Sequence, residues 1–213
     1  MVVLRHVCIN IILYVDDILL LSQSVVGLQQ MLTVCKTAIN ALGLSLNYHK
    51  SVCMRVSPRH SVCCANIKTL NGNLLDWVKE FRYLGVYLVS SHNFKCNYTY
   101  ANKYFYRLFN AIFGRLGCLA SEEVVLHLIK VKCLPVLLYG FDVCPMNLSD
   151  MRSLEFTVKR TTIKLFHTYD STIIDSCMKL FGLVSVSELV AQRKNRFLLK
   201  ISLQDNLLFT VCQ

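Results

Sequence analysis

The chain has 213 residues, 54% of them hydrophobic and 17% charged, and a formal net charge of +10. That length buries one substantial core, or one modest domain with an appendage, and so apolar a composition excludes a disordered tail. Nine Lys and Arg stand against four Asp and Glu in residues 1–95, and fourteen against nine in residues 96–213, so the basic surplus is spread along the chain.

A diffuse surplus of this kind suits a polyanionic partner, because neutralised phosphates release condensed counterions; a merely basic protein is the plain alternative. A membrane-spanning helix needs about 20 apolar residues free of central charges. The apolar stretch 7–15 is broken by Asp16 and Asp17 before 18–21 resumes it, so no span and no membrane partner is expected. Nor does the basic start lead to a small-residue cleavage site. Eleven cysteines lie scattered with no Cys-x-x-Cys pair. Those inside apolar runs (Cys8, Cys35, Cys133) read as small hydrophobes, which fits a reducing, intracellular setting. His60, Cys63 and Cys64 lack a second pair at zinc-ligand spacing.

In chain order, residues 7–14 and 18–21 predict a hairpin around the two aspartates. Both runs are nearly continuous rather than alternating, so both faces of the strands are expected to be covered. A helix follows, with Leu28, Met31, Leu32, Cys35, Ile39 and Leu42 forming one apolar stripe. Ser24 is its expected N-cap and Gly43 its stop. Short strands are expected near 44–47 and 52–56, a hairpin around Asn71-Gly72, and one strand over 81–89. Beyond about residue 95 the pattern turns helical. Residues 100–116 are aromatic on one side and carry Lys103, Arg107 and Arg115 elsewhere. Ser121-Glu122-Glu123 opens another helix, Pro135 interrupts or kinks it, and residues 149–167 and 185–204 supply two more. The fold class is α+β: a mixed part over 1–95, a helical part over 96–168 and a helical extension over 169–213.

The sharpest chemical feature is Tyr14-Val15-Asp16-Asp17 between two apolar strands. Adjacent carboxylates repel by roughly 4 kcal/mol at about 4 Å and an effective dielectric near 20. Either they sit in water at an ordinary turn, or a cation compensates them. Mg²⁺ favours one or two protein carboxylates completed by phosphate oxygens and water, which is the setting of two-metal phosphoryl transfer.

Tyr14-Val15-Asp16-Asp17-Ile18-Leu19-Leu20-Leu21 resembles the Tyr-x-Asp-Asp catalytic hairpin of reverse transcriptases. Further along, Gly43-Leu44-Ser45-Leu46-Asn47-Tyr48-His49-Lys50 is similar to the Gly-Leu-x-x-Asn-x-x-Lys stretch of that family's polymerase palm. Phe81-Arg82-Tyr83-Leu84-Gly85-Val86 resembles the primer-grip strand, and Leu134-Pro135-Val136-Leu137-Leu138-Tyr139-Gly140 looks like a thumb signature of LINE-type (non-long-terminal-repeat) retrotransposons. The pieces stand in the family's order.

The resemblance implies a partial palm over 1–95, an antiparallel sheet with a packed helix, and a thumb over 96–168. It implies RNA-directed DNA polymerisation with Mg²⁺ on an RNA template and a DNA primer, in the cytoplasm and nucleus. Asp16 and Asp17 would be metal ligands, and Tyr14 would lie near the primer end. Lys50 would protonate or steady the departing pyrophosphate; a solvated turn lysine is the alternative. Phe81, Tyr83, Leu84 and Gly85 would hold the primer, although Tyr83 is equally readable as a core aromatic. Lys103, Arg107, Arg115, Lys130 and Lys132 are candidate phosphate contacts, each also readable as a solvated charge. Pro135 and Gly140 read as structural.

The family's further aspartate and its fingers lie upstream of the hairpin, and no carboxylate precedes Asp16. The expectation is a fragment of a longer polyprotein, inactive alone, with an apolar edge at Ile9, Ile11 and Leu13 that favours aggregation. The alternatives are a silent nucleic-acid-binding module, a degenerate relic, or a structural protein with an incidental Asp-Asp turn.

Overall fold

A computed structural model describes residues 2–4, 7–69, 71–117 and 119–203, with nothing said of side chains before Asn10. The chain divides into two compact units. Among the described residues, one is built from those up to 81, from 90–93 and from 201–203; the other from 82–89 and from those between 94 and 200.

The first unit begins with two hairpins where one was expected. Strands β1 (Val2–Leu4) and β2 (Val7–Ile9) pair antiparallel, and so do β3 (Ile11–Tyr14) and β4 (Asp17–Leu20). The expected cover on both faces is not there: every residue of β3 is exposed, Leu13 at 68%. A continuous apolar run reports burial only when sheet neighbours exist, and β3 pairs with β4 alone among the described strands. Ile11 and Leu13 therefore present the apolar edge that was expected; the side chain of Ile9 lies outside the described residues.

Helix α1 (Val25–Ala41) starts where Ser24 accepts a hydrogen bond from the Gly27 amide at 3.1 Å, and ends as Gly43 adopts φ 73°. Its stripe buries Leu32 and half-buries Leu28, Met31, Cys35 and Ile39, whereas Leu42 is exposed. No strand forms over 44–47, and 52–56 contributes only β5 (Val52–Cys53). The Asn71-Gly72 hairpin joins β6 (Ile67–Lys68) to β7 (Leu74–Trp77), with β5 parallel on the far side of β7. Leu32, Cys53, Ile67 and Leu75 form the unit's small core.

Two polar devices bind α1 to this sheet. The Gln29 amide accepts from the Lys68 N–H at 2.8 Å and donates to the Lys68 carbonyl at 2.7 Å, pairing like an extra strand residue. Lys36, only 7% exposed, donates from Nζ to Asn71 Oδ1 at 2.8 Å. Removing that acceptor leaves a buried ammonium short of a partner, so Asn71→Ala is expected to cost about 1–3 kcal/mol in urea unfolding. A change below a few tenths of that figure would show that the ammonium finds another acceptor.

The second unit opens with a correction. Residues 81–89 do not form one strand: β8 (Glu80–Tyr83) turns at Leu84-Gly85 into β9 (Val86–Val89), and β10 (Lys95–Cys96) completes a sheet ordered β10-β9-β8. Leu84 and Gly85 have φ 46° and 87°, the paired positive values a two-residue hairpin turn needs. Strand β8 carries the chain from the first unit into the second.

Helix α2 (Thr99–Leu116) buries Phe105 and Phe109 one turn apart. Helix α3 (Glu122–Leu128) runs through a wide π-helical turn, Ile129–Cys133, into α4 (Leu134–Leu137). Pro135 has no N–H to give and its ring crowds the preceding turn; the helix answers by widening, with the Leu134 amide reaching Ile129 O. Helix α5 (Leu148–Phe166) starts with an Asn147–Asp150 capping box, and α7 (Val186–Ser202) lies close to its expected place. Helix α6 (Ser171–Leu180), capped by Asp170, lies inside the helical extension expected over 169–213, although no separate helix was expected at this place. Phe105, Phe109, Val125, Leu137, Leu154 and Val158 centre the large core. The buried hydroxyls of Thr157, Thr161 and Thr162 donate to carbonyls within α5 at 2.7–3.1 Å. Burial pushes the Cys53 and Cys133 thiols up to about 11, in keeping with cysteines used as small hydrophobes. No described helix is long and apolar enough to cross a membrane.

Candidate functional site

The first unit holds the carboxylate pair. Residues 11–14 and 17–20 pair in register, Ile11 with Leu20 and Tyr14 with Asp17, which leaves Val15 and Asp16 as a two-residue turn. The twist of paired strands demands positive φ in such a turn, and Val15 takes it at 51°. A β-branched residue there is strained, at a cost of about 1–3 kcal/mol. Val15 gains nothing by burial in exchange, being 87% exposed. Strain of this kind, held at a hairpin tip, presents the next two side chains to solvent.

Tyr14, Asp16 and Asp17 are all exposed. Among the described residues no basic side chain forms an ion pair with either aspartate, and no third carboxylate, imidazole or thiol joins them in a cluster able to enclose a metal. Two uncompensated carboxylates open to water fit Mg²⁺, which accepts one or two protein carboxylates and draws its other ligands from water and phosphate. They do not make a closed all-protein site.

Lys50 belongs to the same unit. It lies in the turn over residues 47–51, where its amide donates to Asn47 O at 3.2 Å and the Ser51 hydroxyl donates to the same carbonyl at 2.8 Å. Its side chain is exposed and free of either aspartate. The structure therefore gathers Tyr14, Asp16 and Asp17 on one tip and holds Lys50 on a separate turn.

Of the expected primer-holding residues, Phe81 ends the first unit's share of β8, while Tyr83, Leu84 and Gly85 stand in the second unit. Tyr83 is half-buried, and its hydroxyl oxygen is shielded with no partner among the described residues. Its phenol is left without the acceptor that a buried hydroxyl normally finds. The Leu84 carbonyl receives the Tyr139 hydroxyl at 3.0 Å.

The basic candidates differ from one another. Lys103 and Arg107 are exposed on one face of α2, interleaved with tyrosines: Lys103 Nζ lies 5.5 Å from the Tyr100 ring centre and Arg107 Cζ 5.4 Å from that of Tyr104. Tyr100 in turn stacks on Tyr87 at 3.7 Å and 8°. Cation and aromatic in alternation suit nucleic acid, offering charge to phosphate and a flat face to bases. Arg115 and Lys132 are exposed. Lys130 is half-buried, and its ammonium donates to the Phe181 carbonyl at the end of α6, so a helix terminus shares its charge. Sequence reasoning passed over Tyr87, Tyr100, Tyr104 and Tyr139; the Tyr100-Lys103-Tyr104-Arg107 spacing was the available signal for two of them.

Residues 3–88 match the family described as reverse transcriptase (RNA-dependent DNA polymerase). The matched segment contains the strained hairpin, α1, the Lys50 turn and the Leu84-Gly85 turn. No curated protein and no solved structure gives a significant match.

Proposed function

We propose that residues 1–213 are the later part of the palm, the thumb and a helical extension of a LINE-type retrotransposon reverse transcriptase, with boundaries near 95 and 168, and that they work within a longer polypeptide. One observation carries the reading: Tyr14-Val15-Asp16-Asp17 occupies a strained two-residue turn between paired strands, inside the segment similar to that family.

Asp16 and Asp17 hold the metal, and Tyr14 flanks the primer end. Bound Mg²⁺ would supply the charge that steadies the attacking 3′ hydroxyl and the leaving pyrophosphate. Lys50 delivers positive charge or a proton to that pyrophosphate. Phe81, Tyr83 and the Leu84-Gly85 turn hold the primer strand. Lys103, Arg107, Arg115 and Lys132 meet phosphates, with Lys130 adding charge behind them. A second reading, a catalytically silent binding module or relic, draws on the shortage of carboxylates: two ligands from one hairpin leave the site incomplete.

Binding tests both readings against a structural role. Affinity for an RNA–DNA primer–template is expected to fall with salt at a log–log slope of about −3 to −4, since each neutralised phosphate contributes about 0.9 and Lys103, Arg107, Arg115 and Lys132 are exposed. A slope near zero, or no binding, would contradict any nucleic-acid function. Arg107→Ala is expected to flatten the slope by about one.

A further inference from the structure

The Leu84-Gly85 turn is costly to hold. Leu84, with a branched side chain, sits at φ 46°, a region that favours glycine. The pairing of β8 with β9 imposes that value, and a counterpart outside the hairpin is fitted against it. The Tyr139 hydroxyl donates to the Leu84 carbonyl at 3.0 Å. Its ring lies so close to the next residue that a Cβ on Gly85 would come within 2.8 Å of Tyr139 Cε1. One residue further, the relation reverses: a Cβ on Gly140 (φ 78°) would come within 2.7 Å of Val86 Cγ2. Tyr139-Gly140 and Gly85-Val86 therefore interlock, each glycine making room for the other segment's side chain.

The counterpart is itself anchored. Leu137 and Leu138, immediately before Tyr139, are fully buried, and Arg193 on α7 donates from Nη1 to the Leu138 carbonyl at 3.0 Å. Tyr139 is 57% exposed, so its ring is not there to fill the core. Its hydroxyl acts on a backbone carbonyl of the turn.

We propose that Tyr139 is a positioning residue for nucleic acid: through the Leu84 carbonyl and the face of Gly85 it holds the primer-gripping turn in the one conformation that accepts a primer 3′ terminus. This rests on the polymerase reading above. It joins two stretches whose sequence features were recognised separately, residues 81–86 and 134–140, into one device.

The test uses Tyr139→Phe, which deletes only the hydroxyl, and Tyr139→Ala, which also deletes the ring. Hydrogen exchange followed by mass spectrometry should show amides in residues 82–89 exchanging about fivefold faster in Tyr139→Phe, the effect of one lost hydrogen bond, and faster still in Tyr139→Ala. Helix content and the thermal midpoint should stay near wild type in Tyr139→Phe. In parallel, fluorescence anisotropy compares an RNA–DNA duplex with a recessed primer end against a blunt duplex of equal length. The wild-type preference for the recessed end should be lost in Tyr139→Phe while affinity for the blunt duplex is kept, a split that simple loss of stability would not produce. Unchanged exchange over 82–89 in both variants overturns the clamp. Faster exchange with the preference intact overturns the positioning role. A wild-type chain that binds both duplexes equally overturns the polymerase reading itself and the positioning role with it, and that failure is recognised before any variant is made.

Discussion

Purified residues 1–213 are expected to add no deoxynucleotide to a primer annealed on RNA, at any Mg²⁺ concentration. The hairpin offers two carboxylates, and no third acidic, imidazole or thiol group joins them among the described residues. Two-metal transfer needs both the attacking and the leaving oxygen held, and one ion would be short of protein ligands. Under the proposed reading, the surface for the incoming nucleotide belongs to the upstream part of a longer polypeptide. Positioning of reactants can account for about 7–11 kcal/mol of barrier, so losing it removes measurable turnover. Supplied with the fingers and upstream palm of a related polymerase, the chain should gain activity, and Asp16→Asn should then lower it by roughly 10²–10³-fold, the scale of losing one electrostatic stabiliser of the transition state. Template-directed incorporation by residues 1–213 alone, abolished by Asp16→Asn, would contradict this expectation.

The largest effect on stability is expected in the helical unit. Phe105 is completely buried at the centre of the large core. Phe105→Ala removes most of an aromatic side chain from a close-packed site and leaves a cavity, a combination that costs about 3–5 kcal/mol. Such a loss is a large fraction of the roughly 5–15 kcal/mol that holds an ordinary domain folded. Circular dichroism at 222 nm during urea titration should show the helical transition moved to much lower denaturant. Leu119→Ala, on a side chain that is 85% exposed, should leave it within about 0.5 kcal/mol of wild type. A small effect of Phe105→Ala would mean that the core does not pack around this ring.

The helices and the carboxylate hairpin were legible in the sequence because their determinants are local. Ser24 and Gly43 bracket α1, and Asn71-Gly72 marks the β6–β7 loop, each through chemistry contained within a few residues. The Asp16-Asp17 tip is local too. Other features depend on distant residues. Gly85 is the one turn signal in residues 81–89, but Leu84 has no intrinsic taste for positive φ, and its counterpart Tyr139 stands 55 positions away. Helix α6 spans only ten residues and has one buried side chain, Ile174, too short a run for its spacing to stand out from the sequence around it. The apolar run of β3 reads as covered strand, yet exposure is decided by sheet partners that no local pattern names. For the candidate site, the sequence names its residues without their surroundings: the placing of Lys50 on a turn apart from the aspartate tip, and the engagement of Lys130 with the Phe181 carbonyl, were not legible.

Iron-directed cleavage tests the central claim most directly, since Fe²⁺ can replace Mg²⁺ and, with hydrogen peroxide as oxidant and ascorbate to return Fe³⁺ to Fe²⁺, splits the peroxide into hydroxide and a hydroxyl radical wherever it is held. With an end-labelled primer on an RNA template, wild-type protein should direct strand scission to the last few primer nucleotides. Excess Mg²⁺ should suppress the cutting, and Asp16→Asn with Asp17→Asn should abolish it while overall duplex affinity is retained. Scission spread evenly along the duplex, or unaffected by the double substitution, would contradict a metal site at this hairpin.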